Sequence, residues 1–228
     1  MNKKQDLIFI SVAILLFAPF ILSDSVYKSY ADFNSQHGLI MSFIKFAILA
    51  TAGELIGLRI KTGKYYKKGF GIIPRMLVWG FLGVCIKIAF IIFVSGTPVV
   101  LEYLGMKDAT GLIKESFSAK KLLVAFSISA ALNLIFAPLM MTFHKVTDIH
   151  IGNTGGSLSG FFTPIKIKEI LLNLNWDIQW NFVIKKTIPF FWIPAHTITF
   201  LLAPDLQVLF AALLGIALGI ILAVADFT

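Results

Sequence analysis

The chain has 228 residues, of which 57% are hydrophobic and 14% charged, with a mean hydropathy of +0.85. Soluble domains carry roughly 25% charged residues, so this composition excludes an ordinary soluble domain and points to a polytopic membrane protein. The net charge of +8 would suggest a nucleic-acid partner in a soluble chain, but here the basic residues gather at the ends of apolar segments, which argues for a lipid partner and against nucleic acid.

Six stretches are apolar enough to cross ~30 Å of hydrocarbon as helices. They fall near 7–23, 38–60, 72–95, 121–143, 183–203 and 205–225. The expected fold is therefore all-α: one transmembrane domain over 1–228, a bundle of about six spans. Lys3 and Lys4 before the first stretch resemble a secretory signal. The following "FILSDSVYKS" lacks an Ala-x-Ala-like cleavage site, so the stretch is expected to stay as an anchor.

Lys and Arg set the orientation. With the N-terminus inside, inner segments hold 13 of the 20 and outer loops hold five, the inner loop "RIKTGKYYKKGFGIIPR" alone holding six. Both termini are thus expected on the cytoplasmic face. The single Cys85 lies in an apolar stretch, which leaves no disulfide framework and no cysteine zinc cluster.

Segment 144–182 follows the fourth span on the inner side. Its "DIHIGNTGGSLSG" reads as a flexible turn region. "TPIKIKEILLNLNW" then offers Thr163 as N-cap and Pro164 at the first helical position, which predicts an interfacial amphipathic helix near 163–175 with Trp176 and Trp180 at headgroup level. Pro204 makes "LLAPDLQ" a tight hairpin between the last two spans. The sixth carries Ala211, Gly215, Gly219 and Ala223 at four-residue spacing, a stripe for close helix packing and for a second copy of the chain if one assembles.

Ionisable groups inside spans need a partner or a watery cavity. Glu54 and Arg75 lie at similar depths, about 8 and 5 Å from the inner boundary, on consecutive spans, which predicts a buried ion pair serving as a clamp or a gate. Lys45, Lys87 and His196 all fall about 10–12 Å from the outer boundary and form a candidate pore or anion-attracting site, the alternative being three separately packed or snorkelled residues. Pro138, Pro189 and Pro194 are expected helix kinks; in the last two cases His196 and its neighbouring threonines are placed to satisfy loosened backbone. "HKVTDIH" sets His144, Asp148 and His150 at the inner edge, a weak candidate for a metal set whose spacing matches no strong signature, in what reads as an ordinary interfacial loop.

Several of these residues also resemble a known pattern. Gly53-Glu54 stands where a Gly-Asp would be, Arg75 precedes Gly80 and Gly83, and Phe136-Ala137-Pro138, Asn175-Trp176 and Ile193-Pro194 follow in order. Over roughly 38–225 the chain resembles the peroxisomal membrane protein family of twenty-two kilodaltons and its mitochondrial inner-membrane relatives, as a distant prokaryotic-type member. It departs where a Gly-Pro-x-x-His-x-Trp-Tyr signature would stand, since "GFLGVCIKIAF" brings Lys87 near the expected His. No Arg follows Pro194, the late Trp-Asn is missing, and that family is drawn with four spans. The resemblance implies an inner-membrane protein, here of the bacterial cytoplasmic membrane, with some relatives forming weakly selective pores for small solutes.

The expected function is therefore a channel or facilitator for small solutes, with anions among the candidates. The alternatives are a non-transporting scaffold or assembly factor and, third, a metal-dependent intramembrane enzyme. No Gly-x-Ser-x-Gly, His-Glu-x-x-His or phosphate loop is present, so neither catalysis nor a cofactor is expected.

Overall fold

The computed structural model describes residues 3–225, with side chains through 220; the ends of the expected 1–228 domain, and the side chain of Ala223, lie outside the described residues. Every regular element among them is helical. In chain order these are α1 (Lys3–Leu22), α2 (Asp24–Gln36), α3 (Gly38–Thr62), α4 (Ile72–Tyr103), α5 (Ala109–Leu112), α6 (Ala119–Ile135), α7 (Ala137–Asn153), α8 (Leu158–Phe161), α9 (Ile167–Leu172), a π-helical segment Ile178–Trp192, α10 (Ile193–Leu201) and α11 (Pro204–Ala225). Among the described residues, α1, α3 and α4 are long and apolar enough to cross a membrane, and α6 with α7 makes a fourth if the bent pair is one span.

α3 is the hub, packed most extensively against α4 and α11. Small residues make this approach close enough for backbones to touch. A Cβ added at Gly53 would stand 2.8 Å from Ile216 Cα, and one at Gly219 would stand 2.7 Å from the Gly53 carbonyl oxygen. Gly80 and Gly83 do the same for α4, whose added Cβ atoms would strike the Phe43 and Phe46 rings of α3. Without a hydrophobic drive between helices in lipid, such van der Waals contact is what holds spans together. The main apolar core joins α3, α4, α6, α10 and α11 through Phe46, Phe90, Ile128, Leu132, Phe200 and Ala212.

α1 stands apart. None of its residues is buried, and Ile21 and Leu22 are 82% and 83% exposed. A helix whose long apolar run is left this exposed suits lipid, not water. Its polar end is tied down: Arg59 donates from Nε and Nη2 to the Asp6 carboxylate at 2.7 Å each, and Phe9 stacks on Tyr65 at 4.7 Å.

Several elements differ from the sequence reading. α4 runs to Tyr103, past Gly96 and a buried Pro98, instead of ending near 95. The stretch 121–143 is not one straight helix: the chain breaks at Phe136, and α6 and α7 meet at 44°. Pro138 in the first turn of α7 has no N–H for the carbonyl four residues back, so the helical ladder cannot run through. The "HKVTDIH" segment is helical within α7, not a loop. The expected helix over 163–175 shortens to α9: Thr163 N–H and hydroxyl both donate back to Gly160 O, and residues 164–166 are not helical. The span near 183–203 is a π-helix followed by α10, with Pro189 and Pro194 each missing a donor. Wider winding relieves the clash between a proline ring and the preceding turn.

One loop contact positions the site described next. Gly71, at φ 70°, opens α4, and a Cβ there would stand 2.5 Å from Ile151 Cγ2 and 2.9 Å from Gly156 Cα. The turn after α7 therefore lies on the first residues of α4, which sets Asp148 beside Arg75.

Candidate functional site

Four elements converge on a charged cluster. Arg75 Nη1 lies 2.5 Å from Glu54 Oε2 and 2.6 Å from Asp148 Oδ1. Its Nε donates to Phe70 O at 2.8 Å, and the guanidinium lies over the Phe70 ring at 4.3 Å. Trp79 Nε1 donates to Glu54 Oε1 at 2.9 Å. His144 Nε2 sits 3.1 Å from the same oxygen and 3.7 Å from Asp148 Oδ1, with its ring 4.3 Å from that of Trp79. All four charged or titratable side chains are 13–22% exposed, so each is largely removed from solvent and held by the others.

The helices explain the placement. His144 and Asp148 are four residues apart on α7 and so share a face, while Arg75 and Trp79 are likewise spaced on α4. Glu54 follows Gly53, whose missing side chain lets α11 press on α3 and turns the carboxylate towards α4 and α7. His150 does not join: its Nε2 is 3.1 Å from Phe161 O. The metal set suggested by the sequence is thus rearranged. Glu54, His144 and Asp148 offer ligand atoms within 4.8 Å of one another, but Arg75 already sits between the two carboxylates as their cation.

The cluster forms one end of a cavity of about 530 Å³ inside the bundle, with walls from α3, α4, α6, α7, the π segment, α10 and α11. On α4 the lining runs from Arg75 to Phe90, about 22 Å along the helix axis at 1.5 Å per residue. Its deeper half holds Asn133, Thr187, Trp192 and His196 among Phe46, Phe90, Leu132, Phe136 and Met140.

His196 is buried there. Its Nδ1 lies 3.1 and 3.2 Å from the two polar atoms of the Asn133 amide, and its ring lies 5.2 Å from Trp192 and 5.6 Å from Phe90. Asn133 Nδ2 donates to Ser129 O at 2.8 Å, and Ser129 Oγ donates to Ile193 O at 2.7 Å. Thr197 donates to the same carbonyl at 2.7 Å. Serine and threonine thus serve the backbone around Pro194, while the imidazole bonds a side chain and lines the cavity.

Lys45 and Lys87 stand elsewhere. Lys45 Nζ donates to Asn34 of α2 at 2.5 Å and lies 5.3 Å from the Tyr30 ring centre. Lys87 packs its stem beside Gly38, and neither lysine lines the cavity that holds His196. Equal depth did not bring the three together, because depth fixes height and not the side of the helix. Gly215 and Gly219 lie against Ala50 and Gly53 of α3 and also line the cavity. Trp79 and Trp192 were not singled out in the sequence; an indole one turn from Arg75 and another one turn before His196 were the available signals.

Comparison with known protein families, with curated proteins and with solved structures finds no match for this chain.

Proposed function

We propose that this membrane-embedded bundle is a facilitator that lets small solutes cross the bilayer through its central cavity. One observation carries the reading: the cavity of about 530 Å³ follows α4 from the Arg75 cluster to the level of His196. Ionisable residues among membrane spans that face an internal cavity mark solute or ion paths. A scaffold would need closely packed faces but no interior void of this size, since protein interiors are otherwise filled. The cavity is flanked by the Phe136 break and by the π segment, the two places where the wall's own helical bonding is interrupted.

In this reading the chain crosses six times, as α1, α3, α4, the bent α6–α7 pair, the π segment with α10, and α11. Residues 163–175 lie along the inner surface, and the basic loop 63–71 faces the cytoplasm of a bacterial inner membrane together with both termini. The resemblance to the peroxisomal membrane protein family, some members of which form weakly selective pores, points the same way.

The test is efflux from liposomes holding the purified chain and loaded with glycerol, potassium and chloride. Release of at least one solute above protein-free liposomes is expected. No release, with the chain shown to be folded and inserted, would overturn the proposal and favour the scaffold.

A further inference from the structure

The polar groups of the cavity are unequal in what they leave open. At the cluster end the guanidinium gives its Nη1 to two carboxylates and its Nε to a backbone carbonyl. Past the rim, an anion arriving there meets Glu54 and Asp148 alongside the guanidinium. Lys61 and Lys145 belong to the exposed rim, and the deeper half contains no formally charged side chain. Neither an anion nor a cation finds its counter-charge in that half.

Two nitrogens in the deeper half do lack partners. Trp192 is 8% exposed, and its Nε1 is buried with no hydrogen-bond partner among the described residues. His196 uses Nδ1 for Asn133, and its Nε2 makes no hydrogen bond among the described residues. The two rings are neighbours at 5.2 Å, one helical turn apart, and both line the cavity. Buried donors are almost always satisfied, so an orphan indole N–H on a residue that lines the cavity calls for an acceptor, which it meets when the ring turns towards the cavity. Around it the wall is aromatic or thioether, from Phe46, Phe90, Phe136 and Met140, which suits a flat apolar body.

We infer that the cavity binds a neutral, largely apolar small molecule bearing a carbonyl-type oxygen, which accepts a hydrogen bond from Trp192 beside His196. The inference rests on reading the cavity as the solute path, and it names a class of molecule that binds within that path. It replaces the anionic class suggested by Lys45 and Lys87, which lie outside the cavity.

Three probes of similar size separate the outcomes, each measured as saturable binding to the full chain in lipid nanodiscs above protein-free nanodiscs. Duroquinone is a methylated ring with carbonyls, durene is its hydrocarbon counterpart, and mesitoate is a carboxylate on a similar ring. Duroquinone is expected to bind roughly tenfold more tightly than durene, the worth of one buried hydrogen bond that satisfies an orphan donor. Mesitoate is expected not to bind. Trp192→Phe keeps the ring and removes the N–H, so it should abolish the preference for duroquinone over durene while leaving durene binding in place. The indole N–H resonance of Trp192 in nitrogen-labelled chain, assigned by its loss in that variant, should move downfield with duroquinone and not with durene.

Equal affinity for duroquinone and durene would overturn the inference, and so would tighter binding of mesitoate. Both comparisons use the unaltered chain, so neither depends on the variant folding. Binding as expected without efflux from liposomes would overturn transport and leave this site standing; efflux without the preference would do the reverse.

Discussion

Arg75→Met removes the guanidinium seated between two carboxylates. In the folded chain its Nη1 is 2.5 Å from Glu54 and 2.6 Å from Asp148. With the guanidinium gone, those carboxylates remain within 4.8 Å of each other, a repulsion of about 3.5 kcal/mol at an effective dielectric of about 20. Breaking a buried ion pair by deleting one partner costs about 3–5 kcal/mol by general experience. The side chains here keep 13–22% exposure, so the lower end, about 3 kcal/mol, applies. The origin of that loss is testable, because uncompensated charge and not lost packing is responsible. Adding Glu54→Gln and Asp148→Asn to Arg75→Met removes both orphaned charges and should restore about 2 kcal/mol, as neutral replacements of buried ion clusters do. The assay is equilibrium unfolding of the purified variants in mixed micelles, with helix content as the signal. An Arg75→Met variant within about 1 kcal/mol of the parent would refute the clamp. So would a triple variant no more stable than Arg75→Met alone.

Adjacent glycines of α11 should respond oppositely in the same unfolding assay. A Cβ at Gly219 would meet Gly53 O at 2.7 Å, so Gly219→Ala should cost about 1–3 kcal/mol. At Gly215 the nearest atom would be Ala50 Cβ at an ordinary 3.5 Å, so Gly215→Ala should be neutral or gain about 0.5 kcal/mol from helix propensity. Asn133→Leu leaves His196 Nδ1 unpaired and should cost about 1–3 kcal/mol, part of which returns on adding His196→Leu; no recovery in the double variant would show that the pair is not coupled. Sidedness is read with single cysteines at Lys64 and Lys114 in a Cys85→Ser background, using a maleimide that cannot cross the membrane of intact spheroplasts. Labelling is expected at 114 and not at 64, and the converse would invert the proposed orientation.

The sequence made the apolar, all-helical character of the chain legible, and periodicity with composition was enough for that. Depth counting also brought Glu54 and Arg75 to one level, since two residues near the ends of consecutive antiparallel helices have little freedom to separate. It could not supply azimuth. Lys45, Lys87 and His196 share a depth, yet Lys45 turns to Asn34 on α2, a polar helix capped by Ser23, while His196 turns inward to Asn133. The polar composition of "HKVTDIH" suggested a loop; the four-residue interval between His144 and Asp148 was the signal that they share a helix face. Trp79 stands one turn from Arg75 in the sequence, but its partnership with Glu54 depends on how far α4 is rotated against α3, which the Phe43–Gly80 and Phe46–Gly83 contacts decide. Likewise Pro138 announced a kink, but its direction follows from where the turn after α7 rests on Gly71.

The central claim is that solute moves through the cavity beside α4, and blocking that cavity tests it most directly. Met140 lines it, partly buried at the edge of the apolar core, so Met140→Trp extends an indole from there into the cavity. Efflux of the permeant solute from liposomes holding equal amounts of folded parent or variant is the measurement. Loss of most of the efflux in Met140→Trp, with efflux unchanged in a control Leu139→Trp on the exposed face of α7, is the predicted result. Equal efflux from parent and Met140→Trp would place the path elsewhere and contradict the account.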